Sequence, residues 1–206
     1  MTRQQQIWLS SACFILLILL TGCVWSGYTN GLDNQVRGFA LGLFPPGNER
    51  IWSDFTFLGS GMVITTLTVL ALTILGLQKK WREIRYLIFV VAAAGATEVS
   101  MKWLVNRPRP TEVFAHTMPT SFSFPSGHTI YGTTFYLAIA AIGTSWLKQS
   151  NQFAVWLVAA LLAVLIGASR IFLGVHYFSD VLGGYLVAVF WLTFMGSMAP
   201  PKDYSR

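Results

Sequence analysis

Long apolar stretches, separated by short polar segments, run along the whole of this 206-residue chain. Five of them contain no Asp, Glu, Lys or Arg: residues 4–31, 55–78, 113–147, 149–169 and 181–201. A helix needs about 20 predominantly apolar residues to cross the hydrocarbon core of a bilayer, and each stretch is long enough to hold one. The pattern therefore predicts membrane-spanning helices along the chain.

We place six transmembrane helices at residues 7–26, 54–77, 84–105, 127–147, 153–173 and 178–199. The third helix differs from the others because Glu98 and Lys102 interrupt its apolar pattern. Side chains four residues apart lie on one helical face and can pair. Ionisable residues inside a span are costly and point to a functional site, whereas residues at a helix end can simply extend to the membrane surface.

The composition agrees with a membrane protein, since hydrophobic residues make up 54% of the chain and charged residues 11%. Soluble domains contain about 25% charged residues. A soluble enzyme, a disordered chain and a disulfide scaffold are therefore excluded. We predict an all-α polytopic membrane protein, a bundle of six transmembrane helices that forms one domain over residues 1–206.

The charge of +6 is attributed to membrane orientation rather than to nucleic-acid binding, because basic residues collect in cytoplasmic loops. With the N-terminus inside, eight basic residues fall in cytoplasmic segments and six on the outside. The short loop with Lys79, Lys80, Arg82 and Arg85 carries most weight. Both termini are then predicted to be cytoplasmic.

Residues 27–52 form the longest predicted outside loop. Apolar residues recur there at helical spacing, so part of the segment is expected to lie on the membrane surface: Val36, Phe39, Ala40, Leu43 and Phe44. Pro45-Pro46-Gly47 then ends any helix. Further upstream, Leu20-Thr21-Gly22-Cys23 resembles a bacterial lipoprotein signal. A first spanning helix is favoured, since a multi-span protein needs no lipid anchor.

Three short clusters bring polar and charged residues into the apolar chain. They are Lys102 to Pro110 (KWLVNRPRP), Pro125 to His128 (PSGH), and Ser169-Arg170 with His176 and Asp180 behind them. In the six-helix topology the first cluster ends helix three, the second opens helix four, and the third lies at the junction of helices five and six. All three therefore meet at the outer membrane face.

Lys102, Arg109 and Arg170 supply three cations without an equal number of neighbouring acids. Such a group favours an anion with several oxygens, and arginine makes bidentate contacts with phosphate or carboxylate. Ser126 and Gly127 open a helix, where free backbone N–H groups and the helix dipole also favour phosphate. The clusters predict a phosphate-binding site.

His176 and Asp180 lie four residues apart, so the carboxylate can accept a hydrogen bond from one imidazole nitrogen. The other nitrogen is then oriented as a nucleophile. His128 is available to protonate a leaving oxygen as a general acid. Two His and an Asp could also bind a metal, but a divalent cation beside three fixed cations is electrostatically unfavourable. We expect neither a metal nor another cofactor.

The motifs K-x(6)-R-P, P-S-G-H and S-R-x(5)-H-x(3)-D span residues 102–180 and resemble the signature of the type 2 phosphatidic acid phosphatase superfamily. The resemblance implies a metal-independent phosphatase with a phosphohistidine intermediate. His176 is then the nucleophile, Asp180 orients it, and His128 protonates the leaving group and later activates water. The implied phosphate ligands are Lys102, Arg109, Ser126, Gly127, Ser169 and Arg170.

The compact chain resembles bacterial members that act on undecaprenyl diphosphate or phosphatidylglycerophosphate. Undecaprenyl diphosphate is the first expectation, with phosphatidylglycerophosphate, phosphatidic acid and lipid A 1-phosphate as alternatives. The expected location is the bacterial cytoplasmic (inner) membrane, as a multi-pass protein with its site on the periplasmic or extracellular side. The expected partners are the bilayer and a membrane lipid phosphate, with no nucleic acid and no obligate protein partner.

Two other function classes stay open. A phospholipid transporter would use the same cations without cleavage, but it predicts sequence repeats that we do not find. A structural membrane protein would tolerate substitution in all three motifs. Among the flanking residues, Glu98 is expected to pair with Lys102, and His116 to be a bystander. Arg107 could reach a lipid phosphate or be the solvated arginine of the Arg-Pro-Arg-Pro turn, and the second interpretation is favoured.

Overall fold

The computed structural model describes residues 1–44, 49–111 and 120–198, and regular structure within them is entirely helical. The helices are α1 (Arg3–Trp25), α2 (Asn30–Leu43), α3 (Glu49–Leu58), α4 (Gly61–Leu77), α5 (Trp81–Val105), α6 (Gly127–Thr144), α7 (Gln149–Phe172) and α8 (Phe178–Met198). This confirms the all-helical prediction. The predicted turn at Pro45-Pro46-Gly47, the C-terminal segment and His116 lie outside the described residues.

Helix α6 lies at the centre of the bundle and packs against α4, α5, α7 and α8. Eleven of its 18 residues are buried, which include Ile130, Phe135 and Ala138. Helix α1 packs along α8, and α3 packs on α7. Burial of these apolar faces among neighbouring helices fixes the relative positions of the helix ends, where the three polar clusters lie.

Five segments within the described part of the chain are long and apolar enough to cross a membrane: Arg3–Trp25, Glu49–Leu77, Trp81–Val105, Gln149–Phe172 and Phe178–Met198. Helix α6, the predicted fourth span, is not among them. Its composition gives the reason, since α6 contains His128 and several threonines, of which Thr129, Thr133 and Thr134 are buried within the bundle. The chain is thus a polytopic membrane protein, and six spans with cytoplasmic termini remain a prediction.

The second predicted helix, 54–77, is wrong in its boundaries. The helix begins earlier, at Glu49, and is broken at Gly59-Ser60 into α3 and α4. Ser60 caps α4 by accepting a hydrogen bond from the Val63 N–H at 3.4 Å. A Cβ on Gly59 would lie 2.5 Å from Ile166 Cγ2, so glycine at the break allows the chain to approach α7 closely. In the segment 27–52, the predicted helix is present as α2.

Two turns in the left-handed backbone region direct the chain into the site. Helix α5 ends at Asn106, whose φ is 49°, a conformation that asparagine tolerates better than most residues. After α7, Gly174 has a φ of 69°, and the next N–H groups, of Val175 and His176, both return to the Arg170 carbonyl at 3.2 Å. The turns place Arg107 and His176 directly at these helix ends.

Candidate active site

The three polar clusters meet at one end of the bundle, as the topology predicts. The Arg109 guanidinium, from the first cluster, lies 3.0 Å from His176 Nε2 in the third. The Ser126 N–H, from the second cluster, donates to the Asp180 carbonyl oxygen at 3.0 Å. Segments separated by about 70 residues in sequence therefore form one site.

The contacts of His176 define its tautomer. Its Nδ1 lies 3.3 Å from Asp180 Oδ2, and its Nε2 faces Arg109 Nη1 at 3.0 Å. Arginine can only donate, so Nε2 must be the accepting nitrogen and Nδ1 carries the proton toward Asp180. The Nε2 lone pair therefore points toward the cationic side of the site.

Both members of this pair are buried, His176 at 3% and Asp180 at 0% exposure. Burial lowers the pKa of His176 to about 4, although the hydrogen bond and charge of Asp180 oppose the shift. The imidazole is therefore neutral around pH 7, as a nucleophile requires. Asp180 Oδ2 also accepts hydrogen bonds from the Ser123 hydroxyl and, at 2.9 Å, from the Tyr177 N–H.

Arg109 is held by backbone and side-chain oxygens. It donates to the Ser121 carbonyl at 2.7 Å, to the Val175 carbonyl at 2.8 Å and to the Ser121 hydroxyl at 3.1 Å. These bonds fix the guanidinium beside His176. The same Ser121 hydroxyl accepts from Lys102 Nζ at 3.1 Å, which brings the two cations of the first cluster together.

Lys102 pairs with Glu98, whose Oε1 lies 2.7 Å from Nζ, and this confirms the predicted i, i+4 pair. Glu98 Oε2 accepts from the Tyr131 hydroxyl at 2.8 Å. A Cβ on Gly127 would lie 2.7 Å from Glu98 Oε1. Gly127 therefore lets the start of α6 approach the Glu98–Lys102 pair.

Arg170 is 4% exposed, and its guanidinium donates to the Thr56 hydroxyl of α3. Its Nε has no hydrogen-bond partner in the described part of the structure. Ser169 is also fully buried, but its hydroxyl donates to the Ile166 carbonyl within α7 at 2.6 Å. The structure therefore brings Arg170 to the site and gives the Ser169 hydroxyl a partner in its own helix.

His128 lies in the first turn of α6 and is partly exposed. It is close enough for electrostatic interaction with the three predicted cations and with the other histidine: Arg170, Lys102, Arg109 and His176. Ser126, the residue before α6, is fully buried, and its hydroxyl accepts from Thr129 at 2.9 Å. The predicted cluster of two histidines, one aspartate and three cations is thus assembled at one helix end.

The prediction that Arg107 is a solvated turn arginine is wrong. Its side chain is buried and pairs with two carboxylates, Asp180 Oδ1 at 2.7 Å and Asp33 Oδ2 at 2.6 Å. The sequence analysis also missed Asp33, Ser123 and Thr56. Asp33 carried a usable signal, because it is an acidic residue on the amphipathic segment 27–52, whereas nothing in their neighbourhoods distinguishes Ser123 or Thr56.

The described residues contain no group of three or more His, Cys, Asp or Glu side chains that could hold a metal ion. A metal-independent reaction stays a prediction. The guanidinium groups of Arg109 and Arg170 are suited to bind an anion, and the oriented imidazole of His176 is suited to attack it.

Comparisons with known proteins agree on one family. The profile of the PAP2 superfamily matches residues 83–203. Phosphatidylglycerophosphatase B of Bacillus subtilis is 27% identical over 84% of this chain and 85% of its own length. Undecaprenyl-diphosphatase of Sulfolobus acidocaldarius is 28% identical over 94% of this chain and 90% of its own length.

A solved structure shares the fold along nearly the whole chain. It is the crystal structure of a transmembrane PAP2 type phosphatidylglycerolphosphate phosphatase from Bacillus subtilis, with a TM-score of 0.86 and 23% identity. The match covers 96% of this chain and 98% of that one. The helical arrangement is therefore that of a membrane PAP2 phosphatase.

Proposed function

The chain belongs to the PAP2 superfamily, and on this basis we propose that it removes the terminal phosphate of membrane lipid phosphates through a phosphohistidine intermediate. The observation that carries the proposal is the placement of His176 between Asp180 and Arg109. One imidazole nitrogen is held by a carboxylate, and the other faces the cations that would bind the phosphoryl group. Neither a transporter nor a structural protein needs this arrangement.

The reaction begins when the phosphoryl oxygens are bound by Lys102, Arg109 and Arg170, with Ser126, Gly127 and Ser169 as further ligands. His176 Nε2 attacks phosphorus, and the N–P bond forms as the bond to the lipid oxygen breaks. Arg109 moves its hydrogen bond from Nε2 to the phosphoryl group, where it stabilises the developing charge.

Protonated His128 donates its proton to the leaving lipid oxygen. Neutral His128 then accepts a proton from water, whose oxygen attacks phosphorus and breaks the N–P bond. Inorganic phosphate leaves, and both histidines return to their starting states. Asp180 stabilises the charge that His176 carries in the phosphorylated form.

Undecaprenyl diphosphate is the proposed substrate, supported by the Sulfolobus relative that carries that name. Phosphatidylglycerophosphate is the second candidate, because the Bacillus relative and the solved structure carry its name. Phosphatidic acid and lipid A 1-phosphate complete the series. All present a phosphate at headgroup level while the hydrocarbon stays in the bilayer.

The proposed location is the bacterial cytoplasmic membrane with the site on its outer side. Lys79 and Lys80 lie between α4 and α5, and Arg82 and Arg85 lie in the first turns of α5, at the opposite end of that helix from Lys102. Because basic segments stay in the cytoplasm, this charge distribution supports a site on the outer side, where we propose that the single domain over residues 1–206 meets its lipid substrate.

The test is phosphate release by the purified protein in detergent with EDTA. The panel contains undecaprenyl diphosphate, phosphatidylglycerophosphate and phosphatidic acid, and the variants are His176→Ala and, as a matched control outside the three motifs, His116→Ala. Release by the wild type and by His116→Ala, lost in His176→Ala, supports the mechanism. Release that survives in His176→Ala, or that EDTA abolishes, overturns it.

A further inference from the structure

Helix α2 carries a buried carboxylate into the site from outside the three motifs. Asp33 is 1% exposed and accepts three hydrogen bonds. The Ser179 N–H donates at 2.9 Å, the Ser179 hydroxyl at 2.7 Å, and Arg107 Nη2 at 2.6 Å. A buried carboxylate is costly unless it is paired and hydrogen-bonded, so Asp33 is bound tightly to this position.

Arg107 connects Asp33 to Asp180. Its Nη2 donates to Asp33, and its Nη1 donates to Asp180 Oδ1 and to the Ser179 hydroxyl, both at 2.7 Å. The guanidinium carbon also lies 4.1 Å from the centre of the Tyr177 ring. The pairing with Asp180 and Asp33 raises the pKa of Arg107 although burial opposes it, so the guanidinium is a fixed cation.

The two oxygens of Asp180 therefore have separate partners. Oδ2 accepts the hydrogen bond from His176 Nδ1, while Oδ1 accepts a hydrogen bond from Arg107 Nη1. A planar guanidinium that is bonded at both ends has little freedom to turn. Any change at Asp33 is transmitted to the carboxylate that orients His176.

We propose that Asp33 is a positioning residue, which acts through Arg107 to hold Asp180, and with it His176, in the reactive geometry. Helix α2 is thereby part of the catalytic machinery rather than only a surface helix. The inference rests on the proposed function, because it assigns Asp33 to the same phosphohistidine reaction.

Charge balance gives the proposal a signature that a merely structural contact lacks. Among the described residues, the charged and titratable groups that interact with His176 are Asp180 of α8, Arg170 of α7, His128 of α6, and Arg109, and Arg107 lies on the far side of the Asp180 carboxylate. Loss of the Asp33 charge leaves the positive charge of Arg107 less compensated, which disfavours protonation of the His176 imidazole. The acid limb of kcat/KM then shifts to lower pH. Loss of the Arg107 charge shifts it to higher pH, and loss of both returns it toward the wild type.

The experiment measures kcat, KM and the pH profile of Asp33→Asn, Arg107→Gln and the double variant, with the exposed Asp54→Asn as matched control. The expected loss of kcat is about 10²-fold for each single variant, as for small displacements of a reacting group, with KM nearly unchanged. Because Asp33 acts through Arg107, the double variant should lose no more activity than Arg107→Gln alone.

The thermal unfolding midpoint of every variant in detergent is measured beside the kinetics. Opposite shifts of the two acid limbs, with non-additive kcat losses, support the proposal. Full kcat in folded Asp33→Asn, additive losses, or a lowered unfolding midpoint with an unmoved pH profile overturns it. Since His176→Ala is assayed in parallel, a wild type whose activity depends on His176 but not on Asp33 refutes this inference alone. A wild type inactive on every lipid phosphate refutes the proposed function as well.

Discussion

Asp180→Asn is the substitution that probes the site most directly, because it changes charge and hydrogen bonding with almost no change in shape. The carboxylate is fully buried and accepts four hydrogen bonds. Three converge on Oδ2, from His176 Nδ1 at 3.3 Å, the Tyr177 N–H at 2.9 Å and the Ser123 hydroxyl. The fourth comes to Oδ1 from Arg107 at 2.7 Å. An asparagine has one oxygen for these four donors.

Either orientation of the amide is unfavourable. With its oxygen at the Oδ2 position, the NH₂ group faces Arg107, and breaking a buried ion pair costs about 3–5 kcal/mol of stability. The lower end applies here because Arg107 keeps Asp33. With its NH₂ group at the Oδ2 position, His176 must accept at Nδ1 and carry its proton on Nε2, which removes the nucleophilic lone pair.

The wrong tautomer in a Ser-His-Asp triad lowers kcat about 10⁴-fold, and the same logic applies to an oriented histidine nucleophile. At 1.36 kcal/mol per factor of ten, this is about 5.4 kcal/mol of activation free energy. KM should change little, because Lys102, Arg109 and Arg170 are untouched. Phosphate release in detergent across substrate concentrations measures both constants, and Asp54→Asn is the control. A kcat within tenfold of the wild type in a folded Asp180→Asn variant would refute the orienting role.

Three further predictions concern the same site. Burial lowers the pKa of His176 to about 4, and the rate requires the neutral imidazole. We therefore expect kcat/KM to fall as the pH drops through about 4, and a fall already near pH 6.5 in the pH–rate profile would contradict this. His128→Ala should lower kcat about 10²–10⁴-fold for phosphatidic acid, whose leaving group is an alkoxide, and less for undecaprenyl diphosphate, whose leaving group is a phosphate and needs less protonation. Equal losses of kcat in parallel assays of the two lipids would show that His128 is not the general acid. Thr56→Val removes the hydroxyl that accepts a hydrogen bond from Arg170, and we expect it to raise KM up to about tenfold with kcat preserved. An unchanged KM in steady-state assays would show that Thr56 has no part in phosphate binding.

Most helices of this protein could be predicted from the sequence, because a long apolar run is by itself sufficient to favour a membrane-spanning helix. An uncharged run of spanning length becomes a helix in the bilayer wherever it occurs, since every backbone polar group must be satisfied within the segment. The pairing of Glu98 with Lys102 and the meeting of the three motifs follow from helical spacing and from antiparallel order alone. The proposed phosphate ligands could also be chosen from local sequence, because each motif has its own fixed spacing.

Tertiary packing determined the contacts between residues that are far apart in the sequence, which no local sequence pattern predicts. Arg107 has the sequence context of a solvated turn arginine, yet Asp33, 74 residues away, reaches it only because α2 packs on α7 and α8. Thr56 meets Arg170 across 114 residues for the same reason, through α3 on α7. Helix α6 can carry buried threonines because its neighbours, rather than lipid, surround it. These partners depend on how helix faces fit together, which is a property of the assembled bundle and not of any single segment.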